Sequence, residues 1–410
     1  MNIESLFLKL KNSYSKNMPE INAYRKKLYP EFVLSDKVKT IKDEIPVFTF
    51  HSVEPEKLEA QLQFLATNGY TTLKANDFFE AIVGGKSVPE RSILLTFDDG
   101  WRSLWTYAYP LLKKYEMHGI CFIIPGFVQE DNQRYLNLED VWQRKVQPNR
   151  LLNRDKGREQ TYCTWQEIRE MAKEGTIEFQ SHTMYHSLIF TSPKIVDFLN
   201  PSFDSYVGNH QVPIVRNNGL DNWNQPVSLG MPIYANAPRM GGMRRYFDDE
   251  YLRQECIQFV VDRGGQDFFT RKNWKRQLRR CVSNYKEKFG EKGYYESSHE
   301  LRESIYSDLL ESRCLIEKKL PDTRVTHLCY PYYVGSQVAV EASEEAGYLC
   351  NHWGFLDGRQ SNKKGDNPYY IVRLSEEFIF RLPGDMRKPL CKLMIERINN
   401  NYRRFLAITE

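Results

Sequence analysis

Two pairs of residues in this chain have the types and spacing for hydrolytic chemistry. Asp98 and Asp99 are adjacent and followed by Gly100, and His182 and His186 lie four residues apart. Two imidazoles and one carboxylate form a donor set for a divalent metal that keeps an open position for water. Such a metal lowers the pKa of water, and a second carboxylate can take the proton during attack on a carbonyl. On this reading Asp99, His182 and His186 are metal ligands and Asp98 is the general base. A helical turn through the histidines would put both imidazoles on one side. Each piece also has a plainer reading. Asp-Asp-Gly is often only a turn, and a lone His-x-x-x-His is often an incidental surface pair. Their joint placement at strand ends shifts the balance toward chemistry.

That placement comes from pattern. Ile93, Leu94, Leu95 and Phe97 read as a buried parallel strand that delivers the two aspartates. Ile177 to Gln180 reads as another strand, running into His182. It follows a helix over 164–175 that Thr164 can cap, with Glu167 three residues on. Strands are also expected at 45–50, 70–73, 119–124, 325–330, 348–353 and 370–374, and helices at 55–69, 75–83, 103–117, 299–320 and 337–346. Pro110 predicts a kink or restart in the 103–117 helix. The alternation argues for a parallel α/β sheet or barrel. Polar residues recur at the strand ends: His51, Asp98, Asp99, His182, Tyr332, His352 and Arg373. In a barrel these converge on one rim.

The chain has 410 residues, enough for a large core, and a formal net charge of +4. So small a charge gives no argument for nucleic acid. Eight cysteines without a Cys-x-x-Cys pair suit buried free thiols in a reducing compartment. No secretory leader is read in the first 40 residues and no run reaches a membrane span, so a cytoplasmic setting is expected. The expected organisation is a helical extension over 1–44, a first barrel part over 45–190, a basic insertion over 191–298, a second barrel part over 299–380 and a helical tail over 381–410. In the insertion, Arg271, Lys272, Lys275, Arg276, Arg279, Arg280, Lys286 and Lys288 make a basic stretch. It reads as a solvated helix face, or as a surface for anionic lipid headgroups or a substrate diphosphate.

Several stretches resemble the polysaccharide deacetylase family, also called carbohydrate esterase family 4 or the NodB-homology domain. Thr96 to Gly100 resembles its first motif and His182 to His186 its second, His-Ser/Thr-x-x-His. Cys329-Tyr-Pro-Tyr332 resembles the Tyr-Pro-Tyr form of the third, and Glu345 to Tyr348 follows as in the family. The resemblance implies a distorted (β/α)7 barrel, here with a large insertion between the second and third motifs. It implies metal-dependent removal of an acyl group, usually acetyl, from an N-acylated sugar, oligosaccharide or lipid- or nucleotide-linked glycan. It places Asp98 as base and Asp99, His182 and His186 as ligands of one divalent ion, with zinc favoured and cobalt, nickel or iron accommodated. The Tyr332 N–H would help hold the oxyanion, and Pro331, His51 and Trp101 would line the substrate side.

The third motif departs from the family, whose arginine steadies the base. Cys329 and Tyr330 stand in that neighbourhood, and Arg373 is the candidate replacement. His352 is the candidate general acid, with a packed structural histidine as the other reading. Two further functional readings remain open at this stage. One is an amidohydrolase acting on a non-sugar C–N bond, and the other is a non-catalytic carbohydrate-binding protein.

Overall fold

In the computed structural model, described for residues 22–23, 25–41, 43–130, 134–151, 161–201, 212–222 and 228–397, the centre is a parallel sheet curled into a barrel. Its strands are β1 (Val47–Phe50), the short β2 (Thr71–Thr72), β3 (Ser92–Asp99), β4 (Gly119–Ile123), β5 (Ile177–Ser181), β8 (His327–Cys329), β9 (Cys350–His352) and β10 (Leu374–Ser375). The hydrogen-bonded order is β9-β8-β5-β4-β3-β1-β10, all parallel, with β2 paired to β3. Ile371, just before β10, bonds across to β9: its N–H reaches Asn351 O at 2.9 Å, and Trp353 N–H reaches Ile371 O at 2.7 Å. The two ends of the sheet are thereby joined.

Strand alternation sorts the side chains into two cores. Phe48, Phe50, Ile93, Leu95, Phe97, Cys121, Ile123, Phe179 and Leu328 face outward into the main core. There they meet Leu58, Leu62 and Leu65 of α1 (Pro55–Thr67), Leu111 and Leu112 of α3 (Tyr109–Lys114), Ile168 and Met171 of α4 (Trp165–Lys173), Ile305 and Leu309 of α7 (Ser298–Lys319), and Ala339 and Ala342 of α8 (Gln337–Glu345). Val47, Leu94, Ile120, Phe122, Cys329, Cys350 and Ile371 face inward, and Phe78 and Ile82 of α2 (Ala75–Val83) pack against them. Continuing the same alternation, Thr49, Thr96, Asp98, His327, His352 and Arg373 also point inward. The barrel therefore has an apolar floor and a polar upper layer.

Local sequence accounts for several boundaries. The expected cap of α4 is present: Thr164 Oγ1 accepts from Glu167 N–H, and Glu167 returns a bond to Thr164 N–H at 2.9 Å. The stretch around Pro110 shows the expected restart, with Pro110 in the first turn of α3. A widened π turn, Leu104–Ala108, leads directly into α3, and Tyr109 N–H bonds Leu104 O five residues back. The wider turn accommodates the proline's missing N–H.

Between β5 and α7, where an insertion was expected, the described residues form strands and helices. β6 (Leu188–Phe198) and β7 (Pro232–Pro238) form an antiparallel ribbon with register shifts between Phe190 and Asp197. Those bulges break the alternation that would have revealed a strand. α5 (Glu250–Val261) and α6 (Trp274–Phe289) pack through Leu252, Cys256, Val260, Leu278 and Val282. Of the expected helical extension over 1–44, residues 1–21 lie outside the described residues, and Glu31–Leu34 is a short helix. Of the expected tail, 398–410 also lie outside them.

Candidate active site

β3 ends in a backbone that separates its two carboxylates. Simple alternation would send Asp98 inward and Asp99 outward. Asp99 instead takes a left-handed conformation, φ 71°, and Gly100 follows at φ 77°. Aspartate tolerates this region better than most residues, and glycine does so freely. The turn swings Asp99 over the rim toward the histidines, while Asp98 stays in the barrel.

Asp98 is buried and held by Arg373 in a two-pronged pair. Nη1 lies 2.7 Å from Oδ1 and Nη2 lies 2.8 Å from Oδ2. Thr49 Oγ1 is 3.4 Å from Oδ2, and Cys329 Sγ is 3.8 Å from it. Arg373 also donates to Thr96 Oγ1 at 3.2 Å and to Trp353 O at 3.3 Å. Burial pushes the Asp98 carboxyl up, but the charge and hydrogen bonds of Arg373, with His182 and His51, hold it well below the usual carboxylate range. Burial raises the Cys329 thiol, which remains protonated beside it.

Asp99 Oδ1 lies 3.5 Å from His182 Nε2 and 3.8 Å from His186 Nε2, and the three residues offer donor atoms within 4.8 Å of one another. Two of the donors, His182 and Asp99, are oriented from behind. His182 Nδ1 is 2.8 Å from Cys329 O, an acceptor only, so Nδ1 carries the proton and the Nε2 lone pair faces Asp99. Trp101 Nε1–H donates to Asp99 Oδ2 at 2.7 Å, leaving Oδ1 for the shared space. This set fits a divalent ion: two imidazoles, one carboxylate, and outer partners that fix the ring of His182 and the rotamer of Asp99.

The histidine pair does not lie on a helical turn. Residues 182–187 form a compact loop in which Thr183, at φ 66°, and His186, at φ 52°, are both left-handed. The loop is pinned by Thr183 N–H to Ser181 Oγ, Met184 N–H to Asp308 Oδ1, His186 N–H to Thr183 Oγ1, and Gly126 N–H to Met184 O. The imidazole centroids come within 4.8 Å of each other by this route. Tyr332 and Tyr333 are left-handed as well, at φ 56° and 60°. Strained backbone of this kind collects at functional sites.

The other expected site residues fall into two groups. Tyr332 sits at the rim with its ring 4.5 Å from that of His186, after Pro331 has turned the chain. His51 is half-exposed at the mouth, its Nε2 3.8 Å from Asp98 Oδ2. Trp101 touches Asp99 and stacks on Tyr162, which stacks on Phe127. His352 is different. Its ring is fully buried, 3.0 Å from His327 Nδ1 through Nε2 and against Phe122 and Phe78. Cys329 stands where the third motif placed it, whereas Thr49 and Thr96 were not anticipated around Asp98. Their signal was the period of two, which places each on the same inward face.

The polysaccharide deacetylase family model matches residues 85–199, the stretch that carries both aspartates and both histidines. The resemblance read from the motifs holds for this segment. Over 143 residues the chain is 29% identical to a poly-beta-1,6-N-acetyl-D-glucosamine N-deacetylase of Escherichia coli K12, covering 35% of this chain and 19% of that protein. Over 133 residues it is 30% identical to the Staphylococcus aureus protein of the same name, covering 32% and 37%. The chain thus spans well under half the length of these relatives. A solved de-N-acetylase from Aggregatibacter actinomycetemcomitans superposes with a TM-score of 0.48 at 18% identity, covering 82% of this chain and 96% of that one.

Proposed function

We propose that the protein hydrolyses N-acetyl groups from a polymer or oligomer of N-acetylated sugars, with one divalent ion held by Asp99, His182 and His186. The observation that carries this reading is the division of labour within the aspartate pair. Asp99 Oδ1 faces two imidazole nitrogens, while Asp98 is locked by Arg373 just beneath. The relatives' names supply the sugar substrate class. An ion at that position supplies a polarised acyl oxygen and a water of lowered pKa; zinc suits the donors, and cobalt, nickel or iron can share them.

The chain's own groups do the rest. Asp98 takes a proton from the water that adds to the acyl carbon. Arg373 keeps that carboxylate ionised and fixed in orientation. The Tyr332 N–H is assigned to the developing oxyanion, on a backbone already turned for it. When the C–N bond breaks, acetate leaves and the sugar nitrogen takes a proton. We assign that donation to His51 rather than to His352. His51 stands at the open mouth beside Asp98, whereas the ring of His352 is enclosed by Phe122, Phe78 and His327.

The test is acetate release from N-acetylglucosamine oligomers, comparing wild type with Asp98→Asn and His51→Gln. We expect Asp98→Asn to keep its metal and lose turnover by at least about 100-fold. Equal activity would remove the base assignment. A second part of this proposal concerns placement. No helix among the described residues is long and apolar enough to cross a membrane. On α6, Arg276, Arg279 and Arg280 are offered as contacts for anionic lipid at the inner membrane face; co-sedimentation with vesicles containing phosphatidylglycerol tests it.

A further inference from the structure

Across the Phe122 ring from Arg373 the barrel encloses a second cluster with metal-ligand chemistry. β8 and β9 pair in parallel, with His327 beside Cys350 and Cys329 beside His352. Because alternate residues share a face, His327, Cys350 and His352 all turn inward. Each is fully buried. We propose that these three side chains form a metal site of their own, for a thiophilic closed-shell ion, zinc(II) or copper(I).

The spacing suits one ion. His327 Nδ1 is 3.0 Å from His352 Nε2, Cys350 Sγ is 3.6 Å from the same nitrogen, and all three donor atoms lie within 4.8 Å of one another. Bonds of about 2.1 Å to nitrogen and about 2.3 Å to sulfur, at tetrahedral angles, set such donors roughly 3.4 and 3.6 Å apart. The nitrogens need open by only a few tenths of an ångström.

The state of the two imidazoles also suits it, while burial raises the Cys350 thiol, so an ion is what would draw off its proton. Burial lowers His327 to about 4 and holds His352 well below its ordinary value, so both rings are neutral and carry lone pairs. A plain hydrogen bond between the two rings is a poor end state. One neutral imidazole donates to the other; the outer nitrogen His352 Nδ1 makes no hydrogen bond among the described residues, and His327 Nε2 makes none of standard geometry, with the Ala75 backbone close to its ring. That leaves His352 Nδ1 unsatisfied and His327 Nε2 poorly satisfied. An ion would instead take both inner lone pairs, and the Cys350 thiol would join as thiolate with release of one proton. Soft sulfur with two nitrogens selects zinc or copper(I) over magnesium or calcium. The cluster shares no residue with Asp99, His182 and His186, so the two sites are separable. Since the ligands are sealed in, the ion enters as the chain folds and resists chelators afterwards.

The experiment uses the full chain, unfolded and reduced, then refolded with zinc or, in a parallel arm, copper(I), and dialysed against a chelator. Metal analysis should find about one retained ion per chain in wild type and in His182→Ala, and none in Cys350→Ser. X-ray absorption at the metal edge should show sulfur at about 2.3 Å in wild type and in Cys329→Ser. The wild-type spectrum decides the matter even if Cys350→Ser fails to fold. A refolded wild type that retains no ion overturns the proposal. So does a retained ion with only nitrogen and oxygen neighbours, or a sulfur signal that vanishes in Cys329→Ser. The arm that retains metal identifies the ion.

Discussion

Removing Arg373 should reveal how much the barrel depends on its buried ion pair. Arg373 and Asp98 are essentially inaccessible to water and share two short hydrogen bonds. In Arg373→Met the aliphatic stem is kept, but a buried carboxylate loses the guanidinium that pairs with it. Stranding a buried charge costs about 3–5 kcal/mol. The cost should depend on pH, with a definite sign. In wild type the Asp98 carboxyl lies below its unfolded value, so its contribution is present above about pH 4 and fades as the pH falls through the folded value. In the variant burial is opposed by His182 and His51 but no longer by the guanidinium, and the carboxyl rises from its wild-type position. Its deficit is then smallest at low pH, where a proton neutralises the stranded group, and grows as the pH rises. Urea unfolding at pH 5 and pH 8 measures both variants. Asp98→Asn/Arg373→Met should recover most of the loss, with a coupling of about 2 kcal/mol or more. A loss below about 1 kcal/mol at pH 8, or additive single effects, would mean that Asp98 and Arg373 do not stabilise the barrel as a pair.

Three further outcomes follow from the geometry. Trp101→Phe keeps the stack on Tyr162 but removes the N–H that holds Asp99 Oδ2, so metal affinity at Asp99, His182 and His186 should fall about 10- to 100-fold, as read by competition with a chelating dye. Gly126→Ala should weaken the same site and cost about 1–3 kcal/mol, because a Cβ there would lie 2.6 Å from Met184 O and from the Tyr185 ring, in the loop between the two histidines. Asp308 is pushed up to about 7, chiefly by burial with Glu311 adding, while it accepts Met184 N–H at 2.8 Å. Its stabilising protonation is complete below about pH 4 and is lost as the pH rises through 7. Asp308→Asn, which keeps the acceptor, should therefore raise the melting temperature at pH 8 and change it little at pH 4.

The barrel strands were legible because their apolar runs are long and their stops are strong. Ser92 to Phe97 is bounded by Asp-Asp-Gly, and α4 announces itself through Thr164 and Glu167. Arg373 was reachable too, since its strand position puts it on the inward face. What periodicity could not reveal was backbone that leaves the periodic regions. Asp99, Thr183, His186, Tyr332 and Tyr333 all sit at positive φ, and the meeting of the aspartate with the histidines depends on the first three. The helical turn expected for the histidines failed for that reason. The β6–β7 ribbon escaped because its bulges interrupt the alternation. The environment of His352 also required the fold, because two strands 20 residues apart in sequence place its ring against His327.

The central claim is that Asp99, His182 and His186 hold an ion while Asp98, braced by Arg373, moves the proton. The most direct test is acetate release from a defined N-acetylglucosamine oligomer, measured together with metal content for wild type, Asp98→Asn and His182→Ala. The account predicts three distinct results: wild type binds metal and turns over, Asp98→Asn binds metal without turnover, and His182→Ala loses the metal of this site together with turnover. Turnover by Asp98→Asn at the wild-type rate, or by His182→Ala without metal, would contradict it.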